Sequence, residues 1–174
     1  MKATNSSGIL QPIENCYIET PYKKITMRIL PDISDQKQAN YADESGMGRS
    51  SPLKIFSHGE TRSISWTIHL FASTATESDE NLDILRVLQS LVYPDENPTS
   101  IVSPPPIVRL KCGNMLADEP LCAVLKSYNV KFPTDVAWDS NSLLPIKFDV
   151  DLSFDVVYSV SRLPGSNRIL KFGG

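Results

Sequence analysis

The side chains in this sequence that could perform catalysis are few, and none lies in a recognisable catalytic pattern. His58 precedes an alternating segment, and His69 lies on the polar side of that segment. Nucleophilic catalysis needs a nucleophile, a general base and a group that orients the base. The sequence contains no G-x-S-x-G motif, P-loop or glycine-rich dinucleotide motif. Both histidines are therefore interpreted as surface residues, and we expect no enzymatic activity.

The three cysteines, Cys16, Cys112 and Cys122, are scattered and lack C-x-x-C spacing. This spacing predicts neither a structural zinc site nor a disulfide scaffold, and it favours a reduced, intracellular origin. Cys112 and Cys122 are predicted to lie near each other across a hairpin, as a contact between small core side chains rather than as a disulfide. We expect no metal ion and no cofactor.

Three aspartates, Asp149, Asp151 and Asp155, lie in the segment "DVDLSFD" and invite a calcium hypothesis. An EF-hand loop needs glycine at its sixth position and glutamate at its twelfth, and this segment alternates as a strand instead. On a strand these carboxylates share one face at about 7 Å spacing. They form either a solvated face or a surface that repels a passing anionic polymer such as nucleic acid.

The composition is that of an ordinary globular domain. Of the 174 residues, 41% are hydrophobic and 21% charged, and the net charge is −3. A mildly acidic chain is a poor candidate for gripping phosphates, and no apolar run long enough to span a membrane is present. The N-terminal sequence does not resemble a signal peptide. We predict a flexible arm over residues 1–16, one domain over 17–160 and a polar tail over 161–174.

Hydrophobic periodicity predicts five strands and one helix. The strands are expected at residues 22–30, 61–71, 107–113, 120–132 and 145–158. Residues 78–94 have apolar side chains at helical spacing, with Ser78 as the predicted N-cap, acidic residues in the first turn, and Pro94 ending the helix. Residues 31–57 are predicted to form a long polar loop, which is uncommon inside a compact domain. Such a loop either serves function or contact with a partner, or is a disordered surface loop, and the sequence leaves both interpretations open.

This order of elements predicts a mainly β protein with one helix, of the α+β class. The expected architecture is an antiparallel β-sandwich or barrel whose helix covers an open side or an edge. A TIM barrel or a Rossmann fold is excluded because strands and helices do not alternate along the chain.

The run "SPPPIVRLKCGNML", residues 103–116, is predicted to be a connector rather than a proline-rich ligand. Proline-rich ligands usually lie in flexible regions with basic flanks, whereas this run lies between the predicted helix and a strand. Proline is tolerated at the first residue of a strand, so Pro106 is expected to lead directly into the strand at 107–113.

Several of these segments together resemble the tube-fold proteins of contractile tails in phages and related injection systems. The segments are "ETRSISWTIHLF", the acidic-start helix "SDENLDILRVLQSLVYP", the connector and strand "PPPIVRLKCGNM", and the final strand "PIKFDVDLSFDVVY". The resemblance covers roughly residues 55–160 and is closest to tube initiator or hub-adaptor proteins. Their "PP-x-V-x-F-x-W-G" strand is matched at Pro105, Pro106, Val108, Leu110 and Gly113, with Cys112 at the position of the usual aromatic residue.

The resemblance implies a subunit of a ring, expected to be hexameric, at the tail tube or baseplate hub of a virion made in the host cytoplasm. Its partners would be copies of itself and neighbouring tube, hub or baseplate wedge proteins, with no membrane contact. DNA would pass through the central channel without specific binding. The implied lumen-facing residues are Asp149, Asp151 and Asp155. The implied inter-subunit contacts lie in residues 31–57, at Tyr41, Met47, Arg49, Leu53 and Phe56.

A second hypothesis is a non-catalytic β-sandwich that binds a small ligand through an exposed loop. The oligomeric state separates the two, because a binding module of this kind would be monomeric. The sequence leaves open whether a tail protein of this type would be the repeated tube subunit or a single adaptor layer.

Overall fold

The computed structural model describes residues 11–48, 50–94, 104–140 and 142–158. Within these ranges the chain forms nine strands and one helix. They are β1 (Cys16–Glu19), β2 (Lys24–Thr26), β3 (Asp32–Gln36), β4 (Ala39–Glu44), β5 (Leu53–Gly59), β6 (Ser63–Phe71), α1 (Ala75–Ser90), β7 (Ile107–Cys112), β8 (Leu121–Lys131) and β9 (Lys147–Val156).

Seven of the strands form one antiparallel sheet in the order β2-β1-β7-β8-β9-β6-β3, and β4 and β5 pair separately as a two-stranded hairpin. The prediction of a mainly β fold with a single helix is confirmed for the described part of the chain. The short strand β2 lies at one edge of the sheet and the five-residue strand β3 lies at the other.

The strands whose sequences alternate most regularly are β9 and β6, the fifth and sixth strands in the order of the sheet. They pair over nine residues, from Ser63 opposite Asp155 to Phe71 opposite Lys147. Because successive side chains in a strand point to opposite faces, both strands direct their apolar residues to one face and their polar residues to the other. The strands predicted at 61–71 and 145–158 are confirmed, each with slightly shorter bounds.

The hydrophobic core lies on one face of this sheet and is covered by α1. The helix contributes Leu85, Leu88 and Leu91 to the same buried cluster as the apolar residues of the strands. Residues 25–29, beside the β2 edge, line a common crevice with residues 68–71 of β6, which shows that the sheet is curved. The helix covers the core on the open side of this sheet, which is one of the two positions that the sequence allowed.

The start of α1 differs from the prediction. Its N-cap is Thr74 rather than Ser78, and the Thr74 Oγ1 accepts a hydrogen bond from Glu77 N at 3.3 Å. The Glu77 carboxylate in turn accepts from Ser73 N and Ser73 Oγ, at 2.8 and 2.6 Å. These contacts resemble a capping box. The sequence suggested Ser78 because that residue stands before acidic residues. The prediction was wrong because it overlooked Thr74 and Glu77, which have the three-residue spacing of a capping box.

The N-terminal part of the sheet was predicted incorrectly. Instead of one strand over residues 22–30, the chain forms β1 and β2, joined by a turn in which Thr20 Oγ1 donates to Lys23 O and accepts from Lys23 N. Residues 11–16 were assigned to a flexible arm. The structure places Ile13 against the core and makes Cys16 the first residue of β1. Residues 1–10 lie outside the described part of the chain.

The predicted loop over residues 31–57 is also wrong for most of its length. It contains β3, which pairs with β6 in the main sheet, and the whole of β4 and the start of β5.

The strands β7 and β8 are confirmed, with a bulge between Leu125 and Ser127 in β8. Pro106 leads directly into β7 as predicted. Connector residues 95–103 and tail residues 159–174 lie outside the described ranges.

Candidate functional site

The polar face of the sheet carries Asp149, Asp151 and Asp155, here called the acidic row, on β9. All three side chains are roughly 30% exposed, with values of 31%, 32% and 27%. They lie on an inner strand of the seven-stranded sheet, between β8 and β6. The expectation that the aspartates share one face of a strand is therefore met.

The acidic row is flanked by partners on both neighbouring strands. On the β6 side, Thr67 Oγ1 donates to Asp151 Oδ1 at 2.7 Å, and His69 Nδ1 lies 2.7 Å from Asp149 Oδ1. On the β8 side, Lys131 Nζ lies 2.7 Å from Asp151 Oδ2. Lys126 and Ser63 flank the remaining carboxylate, Asp155, at 3.5 and 3.3 Å. Each carboxylate of the acidic row therefore has a lysine, hydroxyl or histidine partner on a neighbouring strand, so the negative charge of the row is partly compensated.

His69 is more constrained than the surface residue that the sequence suggested. Its Nε2 lies 3.3 Å from Asp32 Oδ2 on the edge strand β3, and its Nδ1 contacts Asp149. The imidazole therefore bridges β3 and β9 across β6. His58 lies within β5 rather than in a loop, and its Nε2 is 3.1 Å from Asn40 Nδ2 on β4. Neither histidine adjoins a group of three potential metal ligands within the described ranges.

The carboxylate of Asp151 is held in its charged form. Hydrogen bonds from Lys131 and then from Thr67 lower the pKa of Asp151 below its ordinary value of 3.8. The same contact with Asp151 raises the pKa of Lys131 above its ordinary value. Both directions follow from pairing of opposite charges, which favours the ionised form of each partner. Lys131 is therefore engaged by the sheet and is less available to an anionic ligand.

Replacing Asp151 by asparagine is expected to lower the Tm at pH 7. The folded-state pKa of Asp151 lies below its unfolded value, so the stabilisation is complete above about pH 3.8 and is lost as the pH falls through the folded-state pKa. The difference in Tm between wild type and Asp151→Asn should therefore close in strong acid. Thermal melts from pH 7 to pH 2 measure it, with the exposed Asp135→Asn as control. A gap that persists at pH 2 would contradict the pairing.

The second candidate site is the hairpin formed by β4 and β5. Every residue of β5 is exposed, and in β4 only Asn40 is partly buried. The base of the hairpin is fixed to the chain by Glu60 N, which donates to Gln38 O at 2.8 Å, and by Asn40 Nδ2, which donates to Glu60 Oε1 at 2.9 Å. An isolated two-stranded hairpin is only marginally stable in water, so this one would gain from a covering partner.

Apolar side chains occupy both faces of the hairpin. Tyr41 and Phe56 pair across the strands with an edge-to-face geometry, their ring centroids 5.7 Å apart. The opposite face carries Leu53 and Ile55. Met47 lies fully exposed in the turn that connects β4 to β5. Aromatic residues and methionine are enriched in protein interfaces, and contiguous exposed apolar residues mark such sites. Of the predicted contact residues, Tyr41, Met47, Leu53 and Phe56 lie on this hairpin; Arg49 lies outside the described residues.

A second exposed apolar surface lies in residues 132–146, here called the β8–β9 loop. It presents Phe132, Trp138 and Leu143 to solvent. The loop is ordered by its own backbone bonds, including Asp139 N to Leu144 O at 2.9 Å and Leu143 N to Asp139 O at 2.9 Å. Leu143 has a φ of 53°, a left-handed conformation that is rare for a leucine. Sequence analysis treated this segment only as a link between strands.

The hairpin and the β8–β9 loop lie at opposite ends of the sheet. The hairpin joins β3 to β6 next to Ser63, which pairs with Gln36 and with Asp155. The β8–β9 loop precedes Lys147, which pairs with Phe71 at the other end of β6. The two apolar surfaces are therefore separated by the length of β6, and each lies at a different end of that strand.

The cysteines are not arranged as predicted. Cys112 does not face Cys122 across the β7–β8 hairpin, since Cys122 pairs with Arg109 and is exposed. Cys112 instead lies directly opposite Cys16 of β1, with both thiols buried. The prediction failed because β1 was not recognised as a strand, which left Cys16 without a place in the sheet.

A crevice lies beside α1, between the helix and the sheet. It is lined by residues 25–29, residues 68–71, Ile84 and Asn81. The Nδ2 of Asn81 is buried and has no hydrogen-bond partner among the described residues. In the same ranges no helix is both long and apolar enough to cross a membrane.

Searches against models of known protein families and against curated proteins find no match to this chain.

Proposed function

We propose that this chain is a structural, non-catalytic subunit of a contractile tail of a phage or related injection system. It would form a ring at the tail tube or baseplate hub that extends the central channel for DNA. The observation that carries the proposal is the hairpin β4–β5, a projecting element with apolar side chains on both faces. In a ring or stack of rings, a neighbouring subunit would cover it, as an isolated hairpin in water requires.

The edges of the sheet support the same proposal. The edge strands β2 and β3 each pair with a neighbour on one side only within the sheet. An unpaired edge favours association with another strand. Closure of such sheets around a ring would remove these edges, as closure does in a barrel. The prediction of a hexamer comes from the resemblance to tube-fold proteins.

The polar face supports a channel role in a modified form. A channel for DNA must not bind phosphates tightly, because such contacts dominate affinity for nucleic acid. The sequence suggested repulsion by the acidic row, whereas the structure pairs Asp151 with Lys131 and Asp155 with Lys126. A cation that is already paired with a carboxylate offers less to a phosphate. The proposed lumen surface is therefore one of neutralised charge.

The proposal is tested by following the oligomeric state of the purified full chain. We expect sedimentation velocity to show association that increases with concentration, and negative-stain images to show rings or short stacks. A chain that stays monomeric at every concentration, and that is missing from images of assembled tail particles, would overturn the proposal.

The alternative, a monomeric non-catalytic ligand-binding module, is favoured by one observation. The unpartnered Nδ2 of Asn81 lies in the crevice beside α1 and is the kind of buried donor that a small ligand with an acceptor group would satisfy. A chain that stays monomeric, and whose Tm rises with a small acceptor-bearing ligand in the wild type but not in Asn81→Ala, would support this alternative.

A further inference from the structure

We propose that Cys16 and Cys112 are an oxidation site, at which a low-molecular-weight disulfide such as oxidised glutathione converts the two thiols into a disulfide joining β1 to β7. The two residues are direct partners in the antiparallel pairing of these strands. Their Sγ atoms lie 2.7 Å apart, so a movement of roughly 0.7 Å reaches the S–S length of about 2.05 Å.

The backbone around the pair has the geometry that a cross-strand disulfide needs. Gly113 N donates to Asn15 O at 2.8 Å, one residue beyond the pair on each strand. Cys16 N and Cys16 O bond instead to Ile13 O and Met27 N. Cys16 and Cys112 therefore form a non-hydrogen-bonded pair, in which Cα atoms approach to about 4.5 Å. That distance falls within the range of about 4.4–6.8 Å observed for disulfides.

Burial controls when this oxidation can happen. Cys16 is 1% exposed and Cys112 is 2% exposed, so an external disulfide cannot reach either sulfur while β1 is in place. Burial, and then the neighbouring Cys112 thiol, raise the pKa of Cys16 above its ordinary value of 9.0, so the thiol stays protonated at neutral pH. Since the thiolate is the attacking species, reaction requires β1 to open.

Opening of β1 takes its outer neighbour β2 with it, because the two short strands together form one edge of the sheet. Ile18 on β1 and Ile25 on β2 are buried in the core, so this opening is a partial unfolding that urea below the unfolding midpoint promotes. One exposed thiolate then displaces a glutathione thiolate from oxidised glutathione and forms a mixed disulfide. The second cysteine displaces the other glutathione, so two thiols become one disulfide and two molecules of reduced glutathione are released.

The crosslink would fasten the entire β1–β2 edge, because β1 is the strand that joins β2 to the rest of the sheet. Cys16 and Cys112 are 96 positions apart, and closing a long loop in the unfolded chain gives a large stabilisation. We expect the Tm of the oxidised protein to exceed that of the reduced protein by about 10 °C.

The test uses the purified full chain, incubated with oxidised glutathione in urea below the unfolding midpoint. Free thiols are then alkylated, and the digested chain is mapped by mass spectrometry without reduction. We expect a linked pair of peptides that contain Cys16 and Cys112, with Cys122 alkylated or carrying glutathione. Alkylation of both Cys16 and Cys112 after prolonged incubation, or a crosslink that includes Cys122, would overturn the proposal.

Two variants serve as controls. Cys122→Ser should keep both the crosslink and the rise in Tm, since this exposed cysteine lies outside the pair. Cys16→Ser should lose both. If Cys16→Ser does not fold, the peptide map of the wild-type chain still decides the question. The result is independent of the proposed function, because the map is read whether or not the chain assembles into rings.

Discussion

Replacing Tyr41 and Phe56 together by aspartate is expected to abolish assembly of the chain while the seven-stranded sheet stays folded. The two rings are 57% and 59% exposed and pack edge-to-face against each other across the hairpin. If a neighbouring subunit covers them, two carboxylates placed there must be buried without partners, which costs several kcal/mol. The association constant should fall by at least about 100-fold.

The matched control exchanges the two rings, as Tyr41→Phe with Phe56→Tyr. This variant keeps the apolar surface and adds no charge, so it should assemble like the wild type. Sedimentation velocity measures assembly, and thermal melts should place all three proteins within a few degrees of one another, because exposed substitutions change stability little. Wild-type sedimentation by the aspartate variant would show that the hairpin is not an assembly surface.

The elements that the sequence predicts well are those whose burial pattern is local. In β6 and β9, successive residues alternate between the core face and the polar face over the full length of the strand. Apolar and polar residue types follow the same alternation in the sequence, so the bounds of both strands were predicted to within two residues. The same pattern placed Asp149, Asp151 and Asp155 on one face.

The hairpin β4–β5 was missed because it has no buried face. All seven residues of β5 are exposed, so there is no alternation between polar and apolar types for a periodicity argument to detect. The segment "SGMG", with Gly48 at a φ of 88°, is the local signal of a turn. Combined with the apolar residues of "LKIF", it could have suggested a hairpin in place of a loop.

The partners of the acidic row could not be predicted because they depend on register between distant strands. Lys131 reaches Asp151 only because β8 contains a bulge between Leu125 and Ser127 and pairs with β9 in one particular register. A one-residue shift would move Lys131 to the other face. The same reasoning explains Cys16, whose partner became evident only once β1 was placed beside β7.

Replacing Phe154 by alanine is expected to destabilise the fold by about 3–5 kcal/mol, which is the usual cost of removing a buried aromatic ring. Phe154 is 0% exposed, and its ring packs edge-to-face on Trp66 with centroids 6.4 Å apart. Those two residues belong to the paired strands β9 and β6, so the cavity would open in the hydrophobic core. For a chain of this size we expect the Tm to fall by about 6–20 °C.

Phe56→Ala provides the control for this prediction, because it deletes the same atoms from an exposed position. In the monomer its effect on the free energy of unfolding should be within about 1 kcal/mol. Urea titrations of both variants, at a concentration where the wild type is monomeric, measure folding stability alone, and Phe154→Ala should lower the unfolding midpoint strongly. Sedimentation velocity at higher concentration measures assembly, which Phe56→Ala should weaken. Equal losses of stability would mean that the hairpin is packed as tightly as the core, and that no partner is needed to cover it.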